Sequence, residues 1–434
     1  MFRKTILAFA SLTALASCTT MPGVSPPSLD VIARQYLALQ LAIGEKDPGY
    51  VDAYYGPPEL AEQAAANDAQ TTLPMLQARV VALEGTLRLV NPAPGTPDAA
   101  RVRYLRAMLN SAKVRLRVLR GEDIPFQDEA EGLFGVRPEL VDLSTLDAVL
   151  ERIEAVVPGD AGDGPLYQRI NAFQDRFIIP EDRLREVIDT AVAECRRRTL
   201  EHVDLPASES FVLSLVTDKP WGGFNYYQGN YRSVIEINTD LPTRLDRAVD
   251  VGCHEAYPGH HVYSTLIERD LTRGRGWIEN SLLPLYSPRA IISEGSARYA
   301  KTMVFPGDEK MVFERDVLAP MAGIDTGELA DYVALNALLG ELQPAYYTIA
   351  AGYLDGDMSR EETIDLSMRY RLLNRERAEQ SLRFFDTYRS YVINYGMGED
   401  LVAAHVEAAG ADMDARWDRF TAILNSPTLP EDLR

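Results

Sequence analysis

The stretch Cys253 to Tyr263, C-H-E-A-Y-P-G-H-H-V-Y, concentrates the reactive side chains of this chain. The sequence has five histidines, and His254, His260 and His261 fall within eight residues of one another, with Glu255 beside the first. Neutral imidazole is the commonest protein ligand for zinc, and a glutamate directly after a ligating histidine on a helix can stand over the attacking water. These are the parts of a hydrolytic Zn2+ site, with Glu255 as the general base.

The familiar pattern H-E-x-x-H puts its second histidine one helical turn after the first. Here that position is Pro258, which cannot ligate a metal and removes a helix hydrogen bond. Two arrangements stay open. In an undistorted helix His261 returns to the face of His254 two turns on, roughly 10 Å along the axis. Alternatively Pro258-Gly259 opens a bulge of the π type and swings His260 or His261 back to the first turn.

A catalytic zinc site has three protein ligands and an open position. The downstream run S-P-R-A-I-I-S-E-G-S-A-R-Y-A offers Glu294 as the third ligand. Ser287 and Pro288 make an N-cap and first-turn pair, and Ala290, Glu294, Ala297 and Lys301 then share one helical stripe. Cys253 points about 100° away from His254 on a helix and reads as a small buried residue.

The pair H-E-A-Y-P-G-H-H and E-G-S-A-R-Y, with G-G-F-N-Y-Y-Q-G-N-Y-R-S-V-I-E-I-N-T before it, resembles the signatures of the domain of unknown function 885 family, over about residues 215 to 305. These are bacterial proteins, many of them lipoproteins, of gluzincin metallopeptidase type. The resemblance implies a mainly α, large helical zincin (gluzincin-like) fold. It implies His254, one or both of His260 and His261, and Glu294 on zinc, with Glu255 as base. Gluzincins also use a residue from a C-terminal helix to stabilise the oxyanion, and Tyr391 and Tyr395 are the candidates here. The chain departs from the family at Ser296, Lys301 and Tyr263, positions that bear on substrate preference rather than on metal binding.

The elements that must carry these groups follow from periodicity. Residues 1–17 read as a secretory signal, M-F-R-K followed by an apolar run, too short to span a membrane. Leu15-Ala16-Ser17-Cys18 has the form of a lipobox, which predicts lipidation of Cys18, a tether over 18–28 and a lipid anchor to the membrane. Thr19 in place of aspartate points to the periplasmic face of the outer membrane within the cell envelope. Residues 29–434 are expected to form a single helical metallohydrolase domain, either one body or two lobes around a cleft. The whole chain's formal charge of −20 argues against nucleic acid as a partner.

Helical spacing marks Ser28 to Gly44, a segment from Val102 to Leu119, one from Pro180 to about Leu200, and one after Ser359. Ala378, Leu382, Phe385 and Val392 extend a further helix to Gly396. Arg103, Arg106, Arg115 and Arg117 read as a solvated face, and D-P-G-Y-V-D-A-Y-Y-G-P at 47–57 as an aromatic-rich loop held by packing, with the lining of a cleft as the alternative. Cys195 and Cys253 read as free thiols, without a disulfide framework. Leu213 to Asn238 has strand composition, predicting a small β-sheet next to the metal helix whose edge could hold an extended peptide. Asn225, Tyr226, Tyr227 and Asn238 are the substrate-binding candidates there.

Three functions fit these residues: a zinc peptidase, a zinc hydrolase of a non-peptide amide such as a cell-wall fragment, and a non-catalytic lipoprotein that binds peptide or metal.

Overall fold

A computed structural model describes residues 27–434 apart from residue 220. The signal segment and Cys18 lie outside the described residues. Helices dominate, joined by two small sheets. Among the described residues no helix is long and apolar enough to cross a membrane.

Caps and apolar stripes explain the helix starts. The Ser28 hydroxyl accepts from the Val31 amide at the head of Leu29–Gly44, whose Ile32, Tyr36, Leu37 and Ile43 are buried. Thr96 and Pro97 open Pro97–Leu119, and Ser287 and Pro288 open Pro288–Val304, satisfying amide donors that a bare terminus would leave orphaned.

β2 (Ser210–Val216), β4 (Arg232–Asn238) and β3 (Gly223–Tyr227) form a sheet in the order β2-β4-β3. β2 runs parallel and β3 antiparallel to the central β4, and β3 is an edge strand with no second strand partner among the described residues. β1 (Val51–Tyr54) pairs antiparallel with β5 (Leu282–Pro284). The aromatic stretch at 47–57 therefore contains a strand, fastened to the residues just before the helix Pro288–Val304.

Three expectations are corrected. Cys195 and Cys253 form a disulfide, with Cα atoms 5.6 Å apart. The helix Glu181–Thr199 packs directly against the histidine-bearing turn, and both cysteines are fully buried where they meet. A loop of 58 residues closed in this way stabilises by about 4 kcal/mol in the chain-entropy account.

Arg115 is not on a solvated face. Its guanidinium makes paired bonds of 2.6 and 2.9 Å to Asp47 and covers the Tyr286 ring at 3.7 Å, because Pro97–Leu119 is covered on more than one side.

The helix expected to reach Gly396 ends at Tyr388. Arg389 takes a φ of 49°, and the chain continues as a 3-10 helix to Tyr395. The buried Glu129 carboxylate enforces this break. It accepts from Arg389 Nε at 2.6 Å and from the Ser390 hydroxyl at 2.7 Å, bonds a continuous helix would not offer.

Candidate metal centre

The histidine motif lies on a helix that opens and closes again. Leu245–Val251 is α-helical, Gly252–Ala256 is a π turn, and a new α-helix starts at His260 and runs to Ile267. The Gly259 amide reaches back to the Cys253 carbonyl at 2.9 Å. A Cβ on Gly259 would stand 1.8 Å from the His254 carbonyl oxygen, so only glycine permits the return.

The bulged arrangement thus brings His260 beside His254. Their Nε2 atoms are 3.1 Å apart, with the rings at 89°. His261 faces the other way and is fully buried. Its Nδ1 meets the Ser233 hydroxyl at 2.8 Å and its Nε2 meets Glu209 at 3.0 Å. With both ring nitrogens engaged, His261 is placed as an anchor between the motif and the sheet. Glu209 also accepts from the Tyr257 hydroxyl and from Arg196, each at 2.7 Å. Burial alone would raise its carboxyl, but these bonds hold it down at about 2.

Glu294 comes to the two imidazoles from the helix Pro288–Val304. Its carboxylate oxygens are 3.7 Å from His254 Nε2 and 3.5 Å from His260 Nε2. The helix can sit deeply because Gly295 meets Gly398 of the helix Met397–Glu407, where a Cβ would be 2.2 Å from the Gly398 carbonyl oxygen. Ser293 supplies a hydroxyl 3.1 Å from His260 Nδ1, the kind of outer contact that fixes a ligand's ring. The Tyr391 hydroxyl lies 3.5 Å from Glu294, and Tyr395 packs edge-on against Tyr391.

Glu255 Oε1 is 4.0 Å from His254 Nε2. Burial pushes its carboxyl up to about 7, against the opposing pull of His260, which suits a proton acceptor near neutral pH. Burial together with the neighbouring His260 lowers His254 to about 3. Burial would lower His260 too, but Glu294 outweighs it and raises His260 to about 9.

The donors fit a divalent metal. Ligand atoms of His254, Glu255 and His260 all lie within 4.8 Å of one another, and Glu294 faces both histidines. Glu294 Oε2 is buried without a hydrogen-bond partner, an arrangement that is costly unless a cation completes it. Two imidazoles and a carboxylate are donors suited to zinc.

The other candidates separate. Asn225 donates to the Glu255 carbonyl at 2.7 Å, holding the general-base candidate's backbone to β3, and its Oδ1 has no partner. Tyr226 is exposed on the same strand and rests on Phe224. Tyr227 is buried and donates to Glu268. Asn238 donates to the Lys219 carbonyl and accepts from the Asp240 amide. The last two therefore hold the sheet rather than facing the histidines.

Sequence reading missed Glu209, Ser233 and Asp52. Asp52, on β1, is in the field of His260 and Glu294, and burial pushes its carboxyl up to about 6 despite His260. Its only sequence signal is an acid among the aromatic residues of Y-V-D-A-Y-Y. A surface cavity of about 760 Å³, lined by Thr96, Arg275, Trp277 and Ser426, among others, contains none of these groups.

The fold resembles that of a solved structure. It is a protein from Colwellia psychrerythraea described as a candidate lipoprotein, matched with a TM-score of 0.52 at 15% identity over 86% of this chain. The chain spans 64% of that structure's length. No family model and no curated protein matches. The likeness establishes the helical architecture that the two have in common.

Proposed function

We propose that this chain is a zinc-dependent peptidase of gluzincin type, with His254, His260 and Glu294 as ligands and Glu255 as general base. The convergence of the two Nε2 atoms and the unpartnered Glu294 oxygen, with Glu255 beside them, carries the reading. Zinc held there would polarise the scissile carbonyl and acidify the attacking water.

The protein's own residues do the rest. Glu255 accepts the proton of the attacking water and passes it to the leaving nitrogen. Tyr391, whose hydroxyl lies 3.5 Å from Glu294, is the candidate donor to the developing oxyanion. The outer edge of β3 begins at Glu255, since a Cβ on Gly223 would be 2.9 Å from Glu255 Oε1, and it offers main-chain groups to an extended peptide. That edge favours a peptide over a non-peptide amide.

The L-A-S-C motif supports lipidation at Cys18 and a place in the cell envelope, at the periplasmic face of the outer membrane. The resemblance to a described lipoprotein is consistent with it.

A peptide mixture incubated with the wild-type protein and with Glu255→Gln tests the activity. Glu294→Ala, measured for metal content, tests the ligand set. Zinc occupancy should fall in Glu294→Ala, and full occupancy would place the third ligand elsewhere.

A further inference from the structure

The helix that leads into the histidine motif begins at Leu245, and the cations around it are committed, with an exception. Arg244 donates to Gln174 at 2.8 Å and to Asp175 at 2.7 Å. Lys301 and Lys310 flank Asp250 at 3.4 and 3.5 Å. Arg298 is held by Glu399 at 2.9 Å, and Lys219, on the approach to β3, by Glu236 at 3.6 Å. The exception is Arg247, in the first turn of the helix. Its side chain is exposed, and among the described residues its guanidinium pairs with no carboxylate and donates no hydrogen bond.

Two glycines place this guanidinium at the site. A Cβ on Gly222 would be 3.8 Å from Arg247 Nη2, and a Cβ on Gly223 would be 2.9 Å from Glu255 Oε1. The two glycines are consecutive, with Cα atoms about 3.8 Å apart. An uncommitted cation and the general-base candidate therefore lie against adjacent residues, at the point where β3 begins. A peptide laid along the β3 edge passes both, and extended chain advances about 3.3 Å per residue, so a group a few residues from the bond over Glu255 can reach Arg247.

The charge of that group follows from the surroundings. The chain carries a formal charge of −20, so most of its surface repels an anion, and Glu255 and Glu294 add negative charge at the site itself. A guanidinium free of acidic partners is what can hold a carboxylate there, through charge-assisted and bidentate hydrogen bonds.

Resting on the peptidase reading, we propose that Arg247 receives a carboxylate of the substrate, which directs cleavage to bonds a few residues from a negative charge. A free carboxyl end and an aspartate or glutamate side chain offer the same chemistry, and the experiment separates them.

The test is binding to the zinc-loaded Glu255→Gln protein, in which turnover is suppressed. Calorimetry would compare an N-acetylated tetrapeptide of uncharged residues with a free carboxyl end, its carboxamide, and the carboxamide of a tetrapeptide containing one glutamate. At low salt at least one of the two acids is expected to bind at least about tenfold more tightly than the uncharged carboxamide. Arg247→Gln in the same background should erase that difference while zinc content stays unchanged. A gain confined to the free acid assigns Arg247 to the chain end, and a gain by the glutamate peptide assigns it to a side chain; each supports the carboxylate role. Equal affinities for all three peptides with Arg247 intact, a preference that survives Arg247→Gln, or loss of zinc in that variant overturns the proposal while leaving the peptidase reading standing. If no peptide binds and the wild type cleaves none, both fall together.

Discussion

His260 Nε2 lies 3.1 Å from His254 Nε2, although a regular helix would put residues six apart on different faces. The π turn at Gly252–Ala256 and the return at Gly259 produce this meeting, and they give the two adjacent histidines of the motif opposite duties.

The return is sterically strict. Gly259→Ala should lower zinc affinity at least about tenfold and destabilise the fold by about 3 kcal/mol, since the new Cβ meets backbone rather than a movable side chain. Metal titration with urea unfolding checks both, and wild-type values in both would show that the chain does not turn as described.

His260→Ala and His261→Ala should differ in kind. His260→Ala is expected to lose zinc. His261→Ala should keep zinc but lose about 2 to 4 kcal/mol of stability, because it strips partners from the buried Ser233 and Glu209. Equal zinc loss in the two variants would show that His261 is also a ligand.

Glu209 predicts an acid-labile sheet contact. Its carboxyl is held at about 2 in the fold, below its ordinary value of 4.5. A depressed folded value means stability that is present above about 4.5 and lost as pH falls toward 2. Wild-type stability should fall by about 2 kcal/mol between pH 5 and pH 3 on account of this group, and Glu209→Gln should show a shallower fall. Parallel pH profiles would remove Glu209 from the acid response.

The cross-link is directly countable. Alkylation of unfolded, unreduced protein should label neither Cys195 nor Cys253, and Cys195→Ala with Cys253→Ala together should cost about 2 to 4 kcal/mol. Labelling of both thiols in protein made in an oxidising compartment would contradict the bond.

The sequence announced its helices well because caps such as Ser28, Thr96 and Ser287 act within one turn of their own residues. The strand composition of 213–238 was legible for the same local reason. What was illegible depends on distant partners. Glu129 stops a helix some 260 residues further along the chain, Asp47 buries Arg115, and helix packing brings Cys195 to Cys253. The choice between His260 and His261 also needed β4 and Glu209, which occupy His261 from the far side. Asp52 carried no motif, since its position depends on a bulge opposite β5.

The most direct test of the peptidase account incubates protein starting after Cys18 with a mixed peptide library, beside Glu255→Gln, with zinc content measured on both. The account expects cleavage by the wild type, and in Glu255→Gln full zinc with activity lower by at least about 10²-fold. Cleavage by Glu255→Gln at the wild-type rate, or a zinc-loaded wild type that leaves every peptide intact, would contradict it.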